Sequence, residues 1–245
     1  MLGNLLFITV INQNNDLVSK KRWIMKINNR IQASKTFLLA LSLLFVACDV
    51  QKKIKLSSDK VITEYDVKNL RVTNDKKFPE YKVKEFLFEN HKAKIVFPNK
   101  QNSNNYWIWR ARFWGHEPQV DIALLEKGFH IVYVDVGNLF GNDEAVELWN
   151  RFYNFCTKKY NLNSKVVLEG MSRGGLIIYN WASKNTDKVF SIYADAPVCD
   201  IKSWPGGMFS GNGNSGAWKA CLKAYNLDAN TVNEYNNNPI DNCVR

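Results

Sequence analysis

The chain has 245 residues, and 46% of its side chains are hydrophobic, which is enough for a sizeable core and argues against a disordered polypeptide. Its formal charge is +10, but residues 1–60 hold 10 Lys and Arg against 3 Asp. Most of the excess therefore sits in the leader, and the remainder gives little reason to expect a nucleic-acid partner. The five cysteines include no Cys-x-x-Cys pair and no Cys/His cluster, so neither a zinc site nor any other cofactor is expected.

The first elements in chain order concern export. Met25 to Lys35 is basic, Phe37 to Ala47 is an apolar run of eleven residues, and Val46-Ala47-Cys48 closes it. That is the grammar of a signal peptide over 25–48, and too short for a spanning helix, which needs about 20 apolar residues. The ending resembles the lipobox of bacterial lipoproteins, with Phe45 where Leu or Val is more usual, and implies lipidation at Cys48. The expectation is an exported protein of the cell envelope, held to the membrane through a lipid anchor or periplasmic. An uncleaved anchor or a buried strand is the alternative. Residues 1–24 read as a non-native upstream extension, since Met25 offers a second start. Residues 49–75 read as a polar tether and 76–245 as the folded domain.

Within that domain, Phe86–Phe88 and Ala93–Pro98 flank a short polar turn and predict an antiparallel hairpin. Tyr106–Arg112 alternates large apolar with polar residues and predicts a third strand. A helix is expected over Val120–Lys127, stopped by Gly128. Phe129–Asp135 is a nearly continuous apolar run, the pattern of a strand buried on both faces. The apolar stripe Ala145, Val146, Leu148, Trp149, Phe152, Phe155, Cys156 predicts a helix over 144–160. Strand Val166–Leu168, helix Leu176–Ser183 and strand Val189–Ala194 follow. Alternating strands and helices of this kind predict an α/β fold, a mostly parallel sheet with flanking helices. After Asp195 a Gly-rich loop leads to short helices at 216–225 and 231–235, and Asn236–Pro239 breaks the chain without a further strand pattern.

The candidate chemistry centres on Gly170-Met171-Ser172-Arg173-Gly174, between an apolar strand and a helix. This spacing is that of a nucleophile elbow, a strained turn that exposes a serine hydroxyl at the top of a sheet, and its glycines let strand and helix pass closely. Ser172 is the candidate nucleophile for acyl transfer. Its oxyanion donors would be the backbone N–H of Arg173 and one from the loop after the third strand, placed at Phe113. Arg110, Arg112 and Glu117 beside it would form a buried network or meet an acidic substrate.

Trp107–Gln119, Leu168–Gly175 and Tyr193–Asp200 together resemble a group of bacterial α/β-hydrolases related to the prolyl-oligopeptidase-like esterases. The resemblance implies a serine esterase acting on a small-molecule or carbohydrate ester, since such proteins are commonly found beside polysaccharide-degrading enzymes. In that family an aspartate and a histidine follow a segment like Asn238-Pro239-Ile240-Asp241, and this chain ends four residues after Asp241. His91, His116 and His130 all precede Ser172, whereas the family order is serine, acid, histidine. The chain therefore reads as C-terminally truncated, its last strands missing, and of little activity. Asp195 stands where some hydrolases place their acid, with Asp200 near it; the other role for both is to cap the following loop. Two further readings remain open: a peptidase of the prolyl-oligopeptidase type, and a non-catalytic glycan-binding lipoprotein using Trp107, Trp109, Trp114 and Trp204. Cys199 and Cys221 would pair or stay as buried thiols; spacing does not decide.

Overall fold

A computed structural model describes residues 64–209 and 211–242. The signal segment, Cys48 and the upstream extension lie outside the described residues.

Seven strands form one sheet in the order β1-β2-β3-β5-β4-β6-β7. They are β1 (Val67–Thr73), β2 (Lys82–Phe88), β3 (His91–Phe97), β4 (Trp107–Ala111), β5 (His130–Val134), β6 (Val166–Met171) and β7 (Val189–Asp195). Among the described residues the α-helices are α1 (Gln119–Glu126), α2 (Asp143–Tyr160), α3 (Gly174–Lys184), α4 (Ser215–Tyr225) and the single turn α5 (Pro239–Asn242). β1, β2, β3 and β5 pair antiparallel, and β5, β4, β6 and β7 pair parallel. The expected hairpin is β2–β3, turned by Glu89 and Asn90, both at positive φ. Among the described residues no helix is long and apolar enough to cross a membrane.

Alternation along each strand sends side chains to two cores. On one face Phe86, Phe88, Ile95, Trp107, Trp109 and Leu168 pack under α2 and α3. On the other, Val83, Val96, Ile108 and Ile131 pack with Phe78 and Leu125 of α1. The α2 stripe is the one expected, and Asn142 caps it by accepting the Ala145 N–H at 3.0 Å. Trp109 stacks on Trp149 with ring centroids 3.9 Å apart. Trp107 and Trp109 are thus core residues, 1% and 0% exposed, which corrects the expectation that they reach a glycan: both sit on a central strand whose faces are covered.

The sheet also begins earlier than residue 76. β1 falls in the stretch that its polar composition marks as tether, because five of its seven residues are exposed and no apolar face shows in the sequence. At the other edge β7 is similarly open, with Phe190, Ile192 and Tyr193 all exposed.

Candidate active site

The strand order places a crevice before any side chain is considered. β4 and β6 are neighbours, yet β4 connects through α1 to β5 on one side and β6 connects through α3 to β7 on the other. Such a reversal opens a gap at the carboxyl ends of the two strands, where open α/β sheets bind ligands. Ala111 pairs with Gly170, so two residues further on Phe113 and Ser172 leave adjacent strands at the same level.

Ser172 sits at that point with φ +49, in the left-handed region. For a residue with a Cβ this conformation costs about 1–3 kcal/mol, and three hydrogen bonds hold it. The Ser172 N–H donates to the Asp195 carbonyl at 2.9 Å, and the Ser172 carbonyl accepts from the N–H groups of Gly175 (2.9 Å) and Val198 (2.8 Å). The flanking glycines are steric requirements. A Cβ on Gly170 would stand 2.4 Å from Ile178 Cδ1, and one on Gly175 would stand 2.6 Å from Pro197 Cβ. Ser172 is half-buried, and among the described residues nothing hydrogen-bonds its hydroxyl.

The facing loop is strained as well. Arg112 and Phe113 have φ of +70 and +49. Among the described residues the backbone N–H groups of Phe113 and Arg173 make no hydrogen bond to another backbone group. Both donors lie just past the carboxyl ends of β4 and β6, at the level of Ser172. The Arg173 guanidinium lies over the rings of Phe140 and Trp204, 5.8 and 5.9 Å from their centroids.

Beneath the crevice the expected network forms, with a different membership. Arg110 binds Asp121 of α1 and, at 2.9 Å, its register partner Glu169 on β6. It also donates from Nε to the Phe113 carbonyl at 3.2 Å and from Nη2 to the His116 carbonyl. Burial, then the Asp121 charge, push the Glu169 carboxyl up to about 8, and burial also raises Asp121. Sequence reasoning missed Asp121 and Glu169, although a lone charge inside an apolar helix face or strand is the available signal. Glu117 is not in the network: it is exposed and accepts from Gln119 at 2.8 Å. Arg112 instead faces Asp135 at 3.8 Å.

The three histidines lie on separate segments of the fold, and the remaining predicted residues take separate roles. His91 lies on β3, three strands from β6 and so roughly 14 Å away across the sheet; its Nδ1 is 2.8 Å from the Asp135 carbonyl oxygen. His130 is buried at the start of β5, the opposite end from the elbow. His116 is exposed on the strained loop. Asp195 ends β7 beside Ser172, its carboxyl exposed. Asp200 caps the next loop by accepting the Lys202 N–H at 2.8 Å. Cys221 is a buried free thiol, so no bond to Cys199 forms. The Asn238–Asp241 segment clasps this loop: Asn238 Oδ1 accepts the Ile201 N–H at 3.0 Å, and the Ile240 N–H donates to the Cys199 carbonyl at 3.1 Å.

Sheet order, switch-point crevice and serine elbow together are the fold of the α/β-hydrolases. Among solved structures the chain is similar to Candida antarctica lipase A, at 13% identity and TM-score 0.52, over 69% of this chain and 50% of that one. It is equally similar to the same lipase in its closed state, at 15% identity and TM-score 0.51, over the same shares. The likeness is one of fold, and the chain spans about half the length of these structures. No protein-family model matches the chain, and no curated protein sequence does.

Proposed function

We propose that the chain carries the nucleophile and oxyanion side of a serine carboxylic-ester hydrolase, acting on an acylated carbohydrate or related ester through a Ser172 acyl-enzyme. The observation that carries this reading is Ser172 in a left-handed turn at the switch point, level with Phe113 and with two N–H donors that no other backbone group takes. In the reaction the Ser172 hydroxyl attacks the ester carbonyl, the N–H groups of Arg173 and Phe113 receive the oxyanion, and collapse breaks the ester C–O bond, the serine proton passing through solvent to the departing alcohol. Each such donor contributes about 2.7–4 kcal/mol to the transition state. Asp195 is the candidate acid. Among the described residues no side chain holds the serine proton, so this chain alone should be acylated by activated esters and turn over slowly. Residual catalysis without a base is about 10³–10⁴-fold over water.

The test is p-nitrophenyl acetate with intact-mass and peptide mapping, followed by acetylated oligosaccharides and peptidyl anilides. An acetyl adduct on Ser172, absent in Ser172→Ala, supports the reading; equal labelling of both proteins refutes it. Preference for anilides over esters would favour the peptidase. Glycan binding unaffected by Ser172→Ala, with no adduct, would favour a binding protein. We further propose export and lipidation at Cys48, on the basic, apolar and small-residue order of 25–48. Fatty-acid incorporation lost in Cys48→Ala would support it, and incorporation unchanged would refute it.

A further inference from the structure

Arg110, Asp121 and Glu169 are 1%, 0% and 3% exposed, and no step of the acyl transfer uses them. Their hydrogen bonding does not close if all three are charged. Arg110 serves Oδ2 of Asp121 and Oε1 of Glu169. The remaining oxygens, Asp121 Oδ1 and Glu169 Oε2, are buried without a partner, although the two carboxyl groups lie within hydrogen-bonding reach of each other. Ionised carboxylates only accept, so neither can satisfy the other. Two anions against one guanidinium would also leave an uncompensated charge in the interior, which is strongly disfavoured. One proton resolves both problems: a protonated carboxyl donates to its neighbour, and one anion then faces one cation.

We propose that Asp121 and Glu169 hold a single proton between them, and that the neutral-acid and anion pair so formed makes Arg110 the positioning residue of the loop carrying Phe113. One side of the guanidinium is fixed by the carboxyl pair, and the other grips the Phe113 and His116 carbonyls. The fork shape matters, because a lysine cannot reach four acceptors in a plane. The proton belongs to the pair, and burial raises both carboxyls, with the Asp121 charge adding to the rise at Glu169. The charges acting on this pair are Arg110 from β4 and the two carboxyls themselves, from α1 and β6. α1 also contributes apolar Ile122 and Leu125, and β6 Val167, to the core cluster with Phe78 and Ile108. The positioning role matters to catalysis only if the hydrolase reading holds; the shared proton stands without it.

Glu169→Gln in the full chain reproduces the protonated state, its oxygen accepting from Arg110 and its amide donating to Asp121. The native state keeps a proton that the unfolded chain releases above the ordinary glutamate range. Stability from this proton is therefore complete at low pH and is lost as pH rises to about 8. In urea unfolding, the wild-type folding constant should fall relative to Glu169→Gln by up to tenfold per pH unit over that window, then level off. The infrared spectrum at pH 7 should show a protonated-carboxyl band that Glu169→Gln lacks. Parallel pH profiles and no such band would overturn the shared proton. Hydrogen exchange at pH 7 over residues 112–118 reads the loop directly. Arg110→Lys should speed it at least tenfold and Glu169→Gln should leave it unchanged. Unchanged exchange in Arg110→Lys, or acceleration in Glu169→Gln, would overturn the positioning role. Failure of Ser172 to acylate would count against the hydrolase reading and touch none of these outcomes.

Discussion

Gly174→Ala tests the elbow where it packs against backbone. A methyl group at 174 would stand 2.5 Å from the Ala111 carbonyl oxygen, an atom fixed by the pairing of β4 with β6. Comfortable separations between non-bonded heavy atoms are about 3.5 Å, so the start of α3 must retreat from β4 by up to ~1 Å. Overpacking of this kind costs about 1–3 kcal/mol. Alanine's better helix propensity recovers at most about 1 kcal/mol, which leaves a net loss of up to ~2 kcal/mol. The geometric effect is larger. The Arg173 N–H belongs to the preceding residue and moves with the helix start, and a misplacement near 1 Å can cost about 10²-fold in rate. Ser172 acylation by p-nitrophenyl acetate should therefore fall by about 10²-fold, while urea unfolding shows only the modest loss. Gly216→Ala is the control, since its added Cβ meets nothing closer than 3.7 Å; it should leave acylation unchanged and add up to ~1 kcal/mol of stability. Unaltered acylation and unfolding in Gly174→Ala would refute the steric argument.

Trp109→Ala empties the stack on Trp149 in the main core and should cost about 3–5 kcal/mol in urea denaturation; a loss below ~1 kcal/mol would show that the core there is loosely packed. Burial holds His130 below its ordinary titration range, so the native state refuses a proton that the unfolded chain accepts. Its stabilising contribution is present above about pH 6.5 and lost as pH falls below that value. His130→Phe, whose ring can keep the edge contact with Phe97, should gain on wild type only in acid; a pH-independent difference would contradict this. Phe190 is 64% exposed on the open strand β7, and Phe190→Thr should reduce self-association in light scattering while shifting stability within about 0.5 kcal/mol.

The legible parts of the molecule were those decided locally. The elbow lies within six consecutive residues, and its strand, glycines and helix all follow from that stretch. The hairpin shows because Phe86 and Phe88 alternate inward on β2, with Phe86 across from Ala93 on β3. The α2 stripe shows because a long amphipathic helix repeats its period. Non-local facts did not show. Trp107-Ile108-Trp109 is the same string whether its tryptophans meet solvent or a helix, and only the later folding of α2 onto that face decides. Arg110 finds Asp121 and Glu169 on two other elements, a meeting that depends on strand register and helix placement. β1 shows little pattern because five of its seven residues are exposed, with Val67 at its start packing on the main core.

The clasp made by Asn238 and Ile240 has a topological consequence. It grips residues 199 and 201, and Val198 beside them holds the Ser172 carbonyl. The path from Asn242 back to the nucleophile therefore runs through a few hydrogen bonds rather than a long stretch of free chain. A peptide spliced on after this point is tied, through that clasp, to the loop that holds the Ser172 carbonyl. Short tethers of that sort give local concentrations in the millimolar range, so a grafted segment could be screened for an imidazole that meets Ser172 without first being evolved for tight docking.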